Sequence, residues 1–140
     1  MSDKILVPMD GSVEALRALE HAAVRMRHAT GKISILVLNV QAPLPPSRYV
    51  TRSMLKDHYA RMSLEALRAA RAMARRLALD ARFYVRRGEP AATISRFAKR
   101  MGCGEIIMGT RGRGRTAIFV LGSVALRVVQ LVGTPVTLVK

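Results

Sequence analysis

Apolar residues fall alternately into short unbroken runs and into longer stretches where they recur every three or four positions. Residues 4–9 form the first run, Ile5-Leu6-Val7-Pro8-Met9 after Lys4, which stops at Asp10-Gly11-Ser12 and reads as a strand. Ser12 is placed to cap a helix, with Glu14 in the first turn, where the positive end of the helix dipole favours a carboxylate. Leu16, Leu19, Ala23 and Met26 make one helical stripe, and Gly31 reads as its stop. The second run, Ile33-Ser34-Ile35-Leu36-Val37-Leu38-Asn39-Val40, is nearly all aliphatic, as befits a strand covered on both faces. Pro43, Pro45 and Pro46 make residues 41–50 a loop.

A long helix over residues 53–79 follows, striped by Leu55, Tyr59, Met62, Ala66, Ala70, Met73 and Leu77. Residues 81–86 alternate Phe83 and Val85 with Arg82, Tyr84 and Arg86, which predicts an edge strand with one wet face. Gly88-Glu89-Pro90 opens a third helix, with Pro90 in the tolerated first turn; Ile94, Phe97, Ala98 and Met101 stripe it, and Gly102 closes it. Glu105-Ile106-Ile107-Met108 is a fourth strand running into Gly109. A glycine- and arginine-rich loop leads to a helix over residues 123–131 and a last strand over 135–139. This alternation predicts an α/β fold: one doubly wound, five-stranded parallel sheet with helices on both faces, a single domain over residues 1–140. Ligands in such sheets lie beyond the carboxyl ends of the strands, where the strand order reverses. Met9-Asp10-Gly11, Asn39-Val40 and Met108-Gly109 stand at those ends.

Composition narrows the partners. Half of the residues are hydrophobic, which argues against disorder. Cys103 is the only cysteine; it excludes an intramolecular disulfide and reads as a partly buried structural thiol. No early apolar stretch reaches the length of a signal peptide or membrane span, so the expected location is the cytoplasm, with no membrane partner. The net charge of +15 is concentrated in residues 51–100, where 13 lysines and arginines face 4 acids. Such a field attracts polyanions without selecting one. Arg61, Arg68, Arg71 and Arg75 line one side of the long helix, the best candidate for a nucleic-acid stripe. Glu65 lies within a turn of both Arg61 and Arg68, and three Tyr, three Phe and no Trp give base stacking little support. The expectation is that nucleic acid is not a partner.

The chemistry concentrates after the fourth strand. Met108-Gly109-Thr110-Arg111-Gly112-Arg113-Gly114-Arg115 leads to Leu121-Gly122-Ser123-Val124. Glycines let a backbone approach a ligand closely, the arginines supply charge against phosphate, and a helix starting at Ser123 offers unpaired N–H groups to an anion. Gly112-x-Gly114-x-x-Ala117 is a poor dinucleotide fingerprint, following the fourth strand with no acid about twenty residues later. A Gly-x4-Gly-Lys-Ser/Thr loop and a Gly-x-Ser-x-Gly elbow are both absent. His21, His28 and His58 have no Cys or acid cluster to complete a metal site.

The spacing Gly109-x2-Gly112-x9-Gly122-Ser123 resembles the nucleotide-binding pattern of ATP-binding universal stress proteins. Val7-Pro8-Met9-Asp10-Gly11-Ser12, the strand end at Asn39-Val40 and Pro135-Val136-Thr137-Leu138-Val139 extend the likeness over the whole chain. The resemblance implies a Rossmann-like fold of the adenine nucleotide alpha hydrolase-like kind and ATP, or another adenine nucleotide, bound with Mg²⁺. It implies that Pro8, Met9 and the backbone around Val40 receive the adenine, while Asp10 faces the ribose or a phosphate-bound Mg²⁺. It further implies that Met108 and Gly109 floor the ribose, Arg111 and Gly112 flank the phosphates, and Gly122, Ser123 and Val124 bind phosphate oxygens. A homodimer through the last strand of each subunit, helped by Thr137 and Val139, belongs to the same implication, with at most slow hydrolysis or self-phosphorylation. Ala125 stands where some nucleotide-binding members carry a hydroxyl, and the charge is more basic than the family pattern. The expected function is a stress-response regulatory module whose nucleotide orders residues 110–120 for an unidentified protein partner. A nucleotide-independent adaptor of the same fold is the alternative, and a basic nucleic-acid binder ranks last.

Overall fold

The computed structural model describes residues 3–45, 47–110 and 121–140. Strands β1 (Asp3–Pro8), β2 (Ile33–Gln41), β3 (Ala81–Arg87), β4 (Glu105–Gly109) and β5 (Val136–Val139) alternate with helices α1 (Val13–His28), α2 (Arg52–Arg76), α3 (Pro90–Met101) and α4 (Ser123–Leu131). All five strands pair in parallel in the order β3-β2-β1-β4-β5. The doubly wound α/β sheet is therefore present.

The unbroken aliphatic runs have a direct cause. Successive strand side chains point to opposite faces. Ile5, Val7, Met9, Ile35 and Val37 meet Ala15, Ala18, Leu19 and Ala22 of α1 and Leu67 and Ala70 of α2. Their neighbours Leu6, Leu36, Leu38, Ile106 and Met108 meet Ala91, Ile94, Phe97 and Ala98 of α3 and Ala125 and Val128 of α4. Both faces must be dry, so both phases of the strand are apolar. Alanines on α1 let that helix approach the sheet closely, which matters at the site below.

Helix ends follow local chemistry with one exception. Ser12 accepts from the Ala15 N–H at 3.1 Å to cap α1, and Thr51 does the same for Met54 at the start of α2. Gly102 closes α3 in the left-handed conformation (φ 68°). Gly31 is not the stop of α1: the helix ends at His28, and Ala29 turns the chain out with extended dihedrals. The α2 boundaries shift slightly, from 53–79 to Arg52–Arg76.

Strand β3 is at an edge, as its alternation predicts, but it does not have one dry and one wet face. Phe83 packs toward α2 and Tyr84 packs toward α3, edge-on to Phe97 with ring centroids 5.1 Å apart. Val85, expected inward, is exposed. Helices cover both faces of this parallel edge strand, so the alternation measures distance from its open margin rather than one buried face.

Glu89 caps α3 by accepting from the Ala91 and Ala92 N–H groups at 3.3 and 2.7 Å. The Ala92 bond chiefly, with the Ala91 bond and Arg127 and Arg96 assisting, outweighs the opposing desolvation and holds its carboxyl below the usual range. A lowered folded pKa means that the cap stabilises fully above the unfolded-state glutamate pKa and is lost as pH falls through the folded value. Acid melts should therefore show a stability decrement in the parent that Glu89→Gln abolishes.

Candidate functional site

The strand order reverses between β1 and β4, the position beyond whose carboxyl ends sheets of this kind hold their ligands. On one side β1 stops at Pro8, paired with Leu38, while β2 continues to Gln41. Met9 donates its N–H to the Leu38 carbonyl at 2.8 Å and buries its side chain. Beyond it the chain turns sharply: Asp10 Oδ1 accepts from the Ser12 N–H at 2.9 Å, and Gly11 takes φ 86°. This Asx turn delivers the chain into the α1 cap.

Asn39 supports this end of the sheet. It is 2% exposed, donates from Nδ2 to the Met9 carbonyl at 2.8 Å, and accepts at Oδ1 from Gln41 Nε2 at 2.7 Å. The amide thus joins the β1 end to the β2 extension where ladder pairing has ceased. Asn39→Leu keeps the branched side-chain shape but strands the buried Met9 carbonyl, and should cost about 2 kcal/mol, read as a lower urea midpoint. Val40 remains in the ladder opposite Arg86 and packs against the α3–α4 side of the core.

On the β4 side, Met108 is buried under α3 and α4, and Gly109 lies against the first turn of α1. A Cβ on Gly109 would stand 2.7 Å from Glu14 Cβ and 3.0 Å from the Glu14 carbonyl carbon. Gly109 has no left-handed dihedral; close packing is what demands glycine here. Thr110 then fastens three elements. Its N–H donates to the Val139 carbonyl at 2.9 Å and its own carbonyl accepts from the Gly122 N–H at 2.7 Å, while its buried hydroxyl has no hydrogen-bond partner among the described residues.

Helix α4 starts at Ser123 with Gly122 as its N-cap, and among the described residues no side chain caps it. The Gly122 carbonyl accepts from Leu126 N–H, so helix geometry leaves the N–H groups of Ser123, Val124 and Ala125 without an intrahelical acceptor. Gly122 itself departs from the expected role, because its N–H is already committed to Thr110. Ser123 is exposed and Val124 half-buried. A helix start with positive dipole therefore stands beside the carboxyl end of β4, joined to it through Gly122 and Thr110.

The sequence profile described as the universal stress protein family matches residues 1–140. The chain belongs to the universal stress protein family. Universal stress protein YxiE of Bacillus subtilis is 29% identical, with 100% of each chain covered. A universal stress protein of Methanocaldococcus jannaschii is 31% identical over 98% of this chain and 81% of its own. Among solved structures, universal stress protein UspA from Lactobacillus plantarum superposes with TM-score 0.76 at 24% identity, covering 99% and 97%. The Archaeoglobus fulgidus universal stress protein in complex with dAMP gives 0.70 at 22%, covering 100% and 98%. A family member from Arabidopsis thaliana with AMP bound gives 0.69 at 20%, covering 99% and 91%. These likenesses establish the Rossmann-like fold.

In this universal stress protein the structure brings Pro8, Met9, Asp10, Met108, Gly109, Gly122, Ser123 and Val124 to one end of the sheet, with Val40 one strand away. Arg111 and Gly112, with Arg113, Gly114 and Arg115, lie outside the described residues. Three residues that the sequence places at a strand end, in the loop and in the first helical turn have further roles here. Asn39 could have been found as a polar residue closing an aliphatic strand, and Thr110 as the first hydroxyl after one. The burial of Glu14 against Gly109 had no local signal. Cys103 is buried, and burial pushes its thiol up despite Lys4, in keeping with a structural role. Among the described residues no helix is long and apolar enough to cross a membrane.

Proposed function

We propose that this universal stress protein binds ATP or another adenine nucleotide where β1 and β4 end side by side, and serves as a regulatory module. The observation that carries the reading is the start of α4, which no described side chain caps, fastened through Gly122 and Thr110 to the end of β4. Three outward N–H groups at a helix start form an anion site, and the Met9–Asn39 side supplies a floor for the base. The AMP and dAMP complexes of the family members above support the choice of nucleotide. In this reading Pro8, Met9 and the Val40 backbone receive the adenine. Asp10 addresses the ribose or Mg²⁺, and Met108 and Gly109 lie under the sugar. Arg111 and Gly112 flank the phosphates, Ser123 and Val124 bind their oxygens, and the Thr110 hydroxyl is a further donor within the same turn.

Asp10 fits a Mg²⁺ site of the kind that borrows its other ligands. Among the described residues no three His, Cys, Asp or Glu side chains converge, and Asp10 Oδ1 is held by the Ser12 N–H. Mg²⁺ typically keeps several waters and takes nucleotide phosphates with one or two carboxylates, so one carboxylate suffices. The metal when bound would screen the phosphate charge. Calorimetric titration with ATP, ADP and AMP, each with and without Mg²⁺, tests the reading. Saturable one-to-one binding is expected. A well-folded protein that takes up none of the three would remove the nucleotide and leave the adaptor reading.

The same reading includes a homodimer through β5, located in the cytoplasm with an unidentified protein partner. Strand β5 is the second edge of the sheet, and Leu126, Val129, Leu131 and Leu138 beside it are 46%, 45%, 47% and 37% exposed. Thr137 is turned within the chain, donating to Glu105 Oε2 at 2.6 Å, and Val139 packs toward α1. The strand's backbone edge and the α4 leucines and valines are then the adhesive surface. Sedimentation should give a dimer for the parent and a monomer for Val129→Asp; a monomeric parent would remove the dimer.

A further inference from the structure

We infer that the open β3 edge and the adjoining side of α2 form a second anion surface, which takes the phosphodiester backbone of single-stranded nucleic acid without reading its bases. This surface lies apart from the β1–β4 site and does not depend on the nucleotide reading. Between residues 52 and 87 there are ten lysines and arginines and three acids. One acid, Glu65, is engaged with Arg68 at 3.4 Å.

The fold gathers these charges. Arg68, Arg71 and Arg75 follow one another at three- and four-residue spacing on α2, beside the buried face of Leu67, Ala70 and Ala74. Arg71 lies over the Phe83 ring of β3 at 4.5 Å, which fixes that side of α2 against the sheet edge. Strand β3 adds the exposed Arg87 on the α2 side, and the exposed Arg82 and Arg86, of opposite phase, on the Tyr84 side of the same open edge. An open groove of about 290 Å³ runs along the seam, with Arg71 and Arg75 at its rim and Ala74, Ala78, Leu79 and Phe83 among its lining.

Stacking orders the guanidiniums. Besides Arg71, Arg87 lies over Tyr59 at 4.4 Å, and Arg86 lies over Phe97 at 5.4 Å and Tyr84 at 5.8 Å. A planar fork held on a ring loses less freedom when it meets a phosphate than a free side chain does. The same stacking occupies the ring faces that would otherwise receive bases, so the surface reads charge and spacing alone. The scarcity of aromatics that argued against nucleic acid argues only against base recognition. A membrane surface suits the patch less well, because Leu64 and Val85 are the large apolar residues exposed beside the arginines and they do not form an inserting face. Edge arginines also protect a strand from pairing, and the experiment separates that role.

The test is fluorescence anisotropy of an end-labelled thymidylate oligomer with saturating ATP and Mg²⁺ present, across a salt series. The parent is compared with a triple variant Arg71→Gln, Arg75→Gln, Arg82→Gln and with an equally discharged control, Arg27→Gln, Lys99→Gln, Arg100→Gln. All six positions are exposed, and circular dichroism melts check the folds. The parent should bind with affinity falling steeply in salt. The edge variant should lose about tenfold or more, and its salt slope should flatten by about two, at roughly 0.7 per phosphate contact. The control should stay near the parent. Equal loss in both variants would mean net charge without a site. In a parallel titration started without nucleotide, displacement of the oligomer as ATP is added would place it at the β1–β4 site and overturn the inference. No binding by the parent, binding only to anionic vesicles, or self-association of the edge variant as the sole change would each overturn the inference.

Discussion

Gly122→Asp should reduce nucleotide affinity by several hundredfold while the protein melts at the parent's temperature or slightly above it. Gly122 occupies the N-cap of α4 with dihedrals of −63° and 153°, a conformation open to any residue. An aspartate there can accept from the Ser123–Ala125 amides, as an N-cap side chain does, and relative to glycine this changes stability by only a few tenths of a kcal/mol. It also puts a carboxylate where the phosphate is proposed to sit. At an effective dielectric near 20, two such charges about 4–5 Å apart repel by roughly 3–4 kcal/mol. The Gly122 N–H bond to Thr110 is untouched, so the loop anchor remains. Calorimetry and a thermal melt on one preparation decide it. Undiminished binding by Gly122→Asp would move the phosphate away from α4 and leave the rest of the site to be tested alone.

Gly109→Ala should lower stability by about 2 kcal/mol and the melting temperature by roughly 5–10 °C. The new Cβ would approach Glu14 Cβ, the Glu14 carbonyl carbon and the Ala15 nitrogen at 2.7, 3.0 and 3.2 Å. Two of those atoms are backbone of the first turn of α1. That turn cannot easily yield, because Ser12 caps it and Ala15, Ala18, Leu19 and Ala22 key it into the core. Gly31→Ala is the matched control: nothing stands within 4 Å of its Cβ and its φ is ordinary. Relieving the unfolded chain of a glycine there should be neutral or stabilising by about 0.4–1 kcal/mol. Equal melting of the two variants would mean that β4 does not press on α1.

The Gly109 comparison shows how far residue patterns reach. The spacing Gly109-x2-Gly112-x9-Gly122-Ser123 identified the family, but glycine serves different purposes at its ends. At 109 it lets a strand touch a helix that is ninety-five residues earlier in the chain. At 122 it leaves a helix end uncapped. Neither reason is visible locally, since one is a long-range contact and the other an absence. Gly31 shows the converse. It had the composition of a stop, yet α1 ends three residues earlier, because β2 must begin in register with Asp3 opposite Ile33.

The succession of five strands and four helices, their parallel pairing and the position of α3 and α4 were determined by sequence alone. Apolar period, caps and breakers are local properties, and they agree here element by element. The Ser12 cap, the Gly102 stop and the residue limits of α4 follow from a few neighbouring side chains. Tertiary structure alone decided the strand order, and with it that β1 and β4 end side by side. It also decided that Asn39 bridges to Met9, that Thr110 holds Gly122, and that Arg71 of α2 lies over Phe83 of β3 while Arg87 of β3 lies over Tyr59 of α2. Each of these joins residues distant in the chain, and a linear pattern carries the type of a side chain but not the partner that packing brings to it.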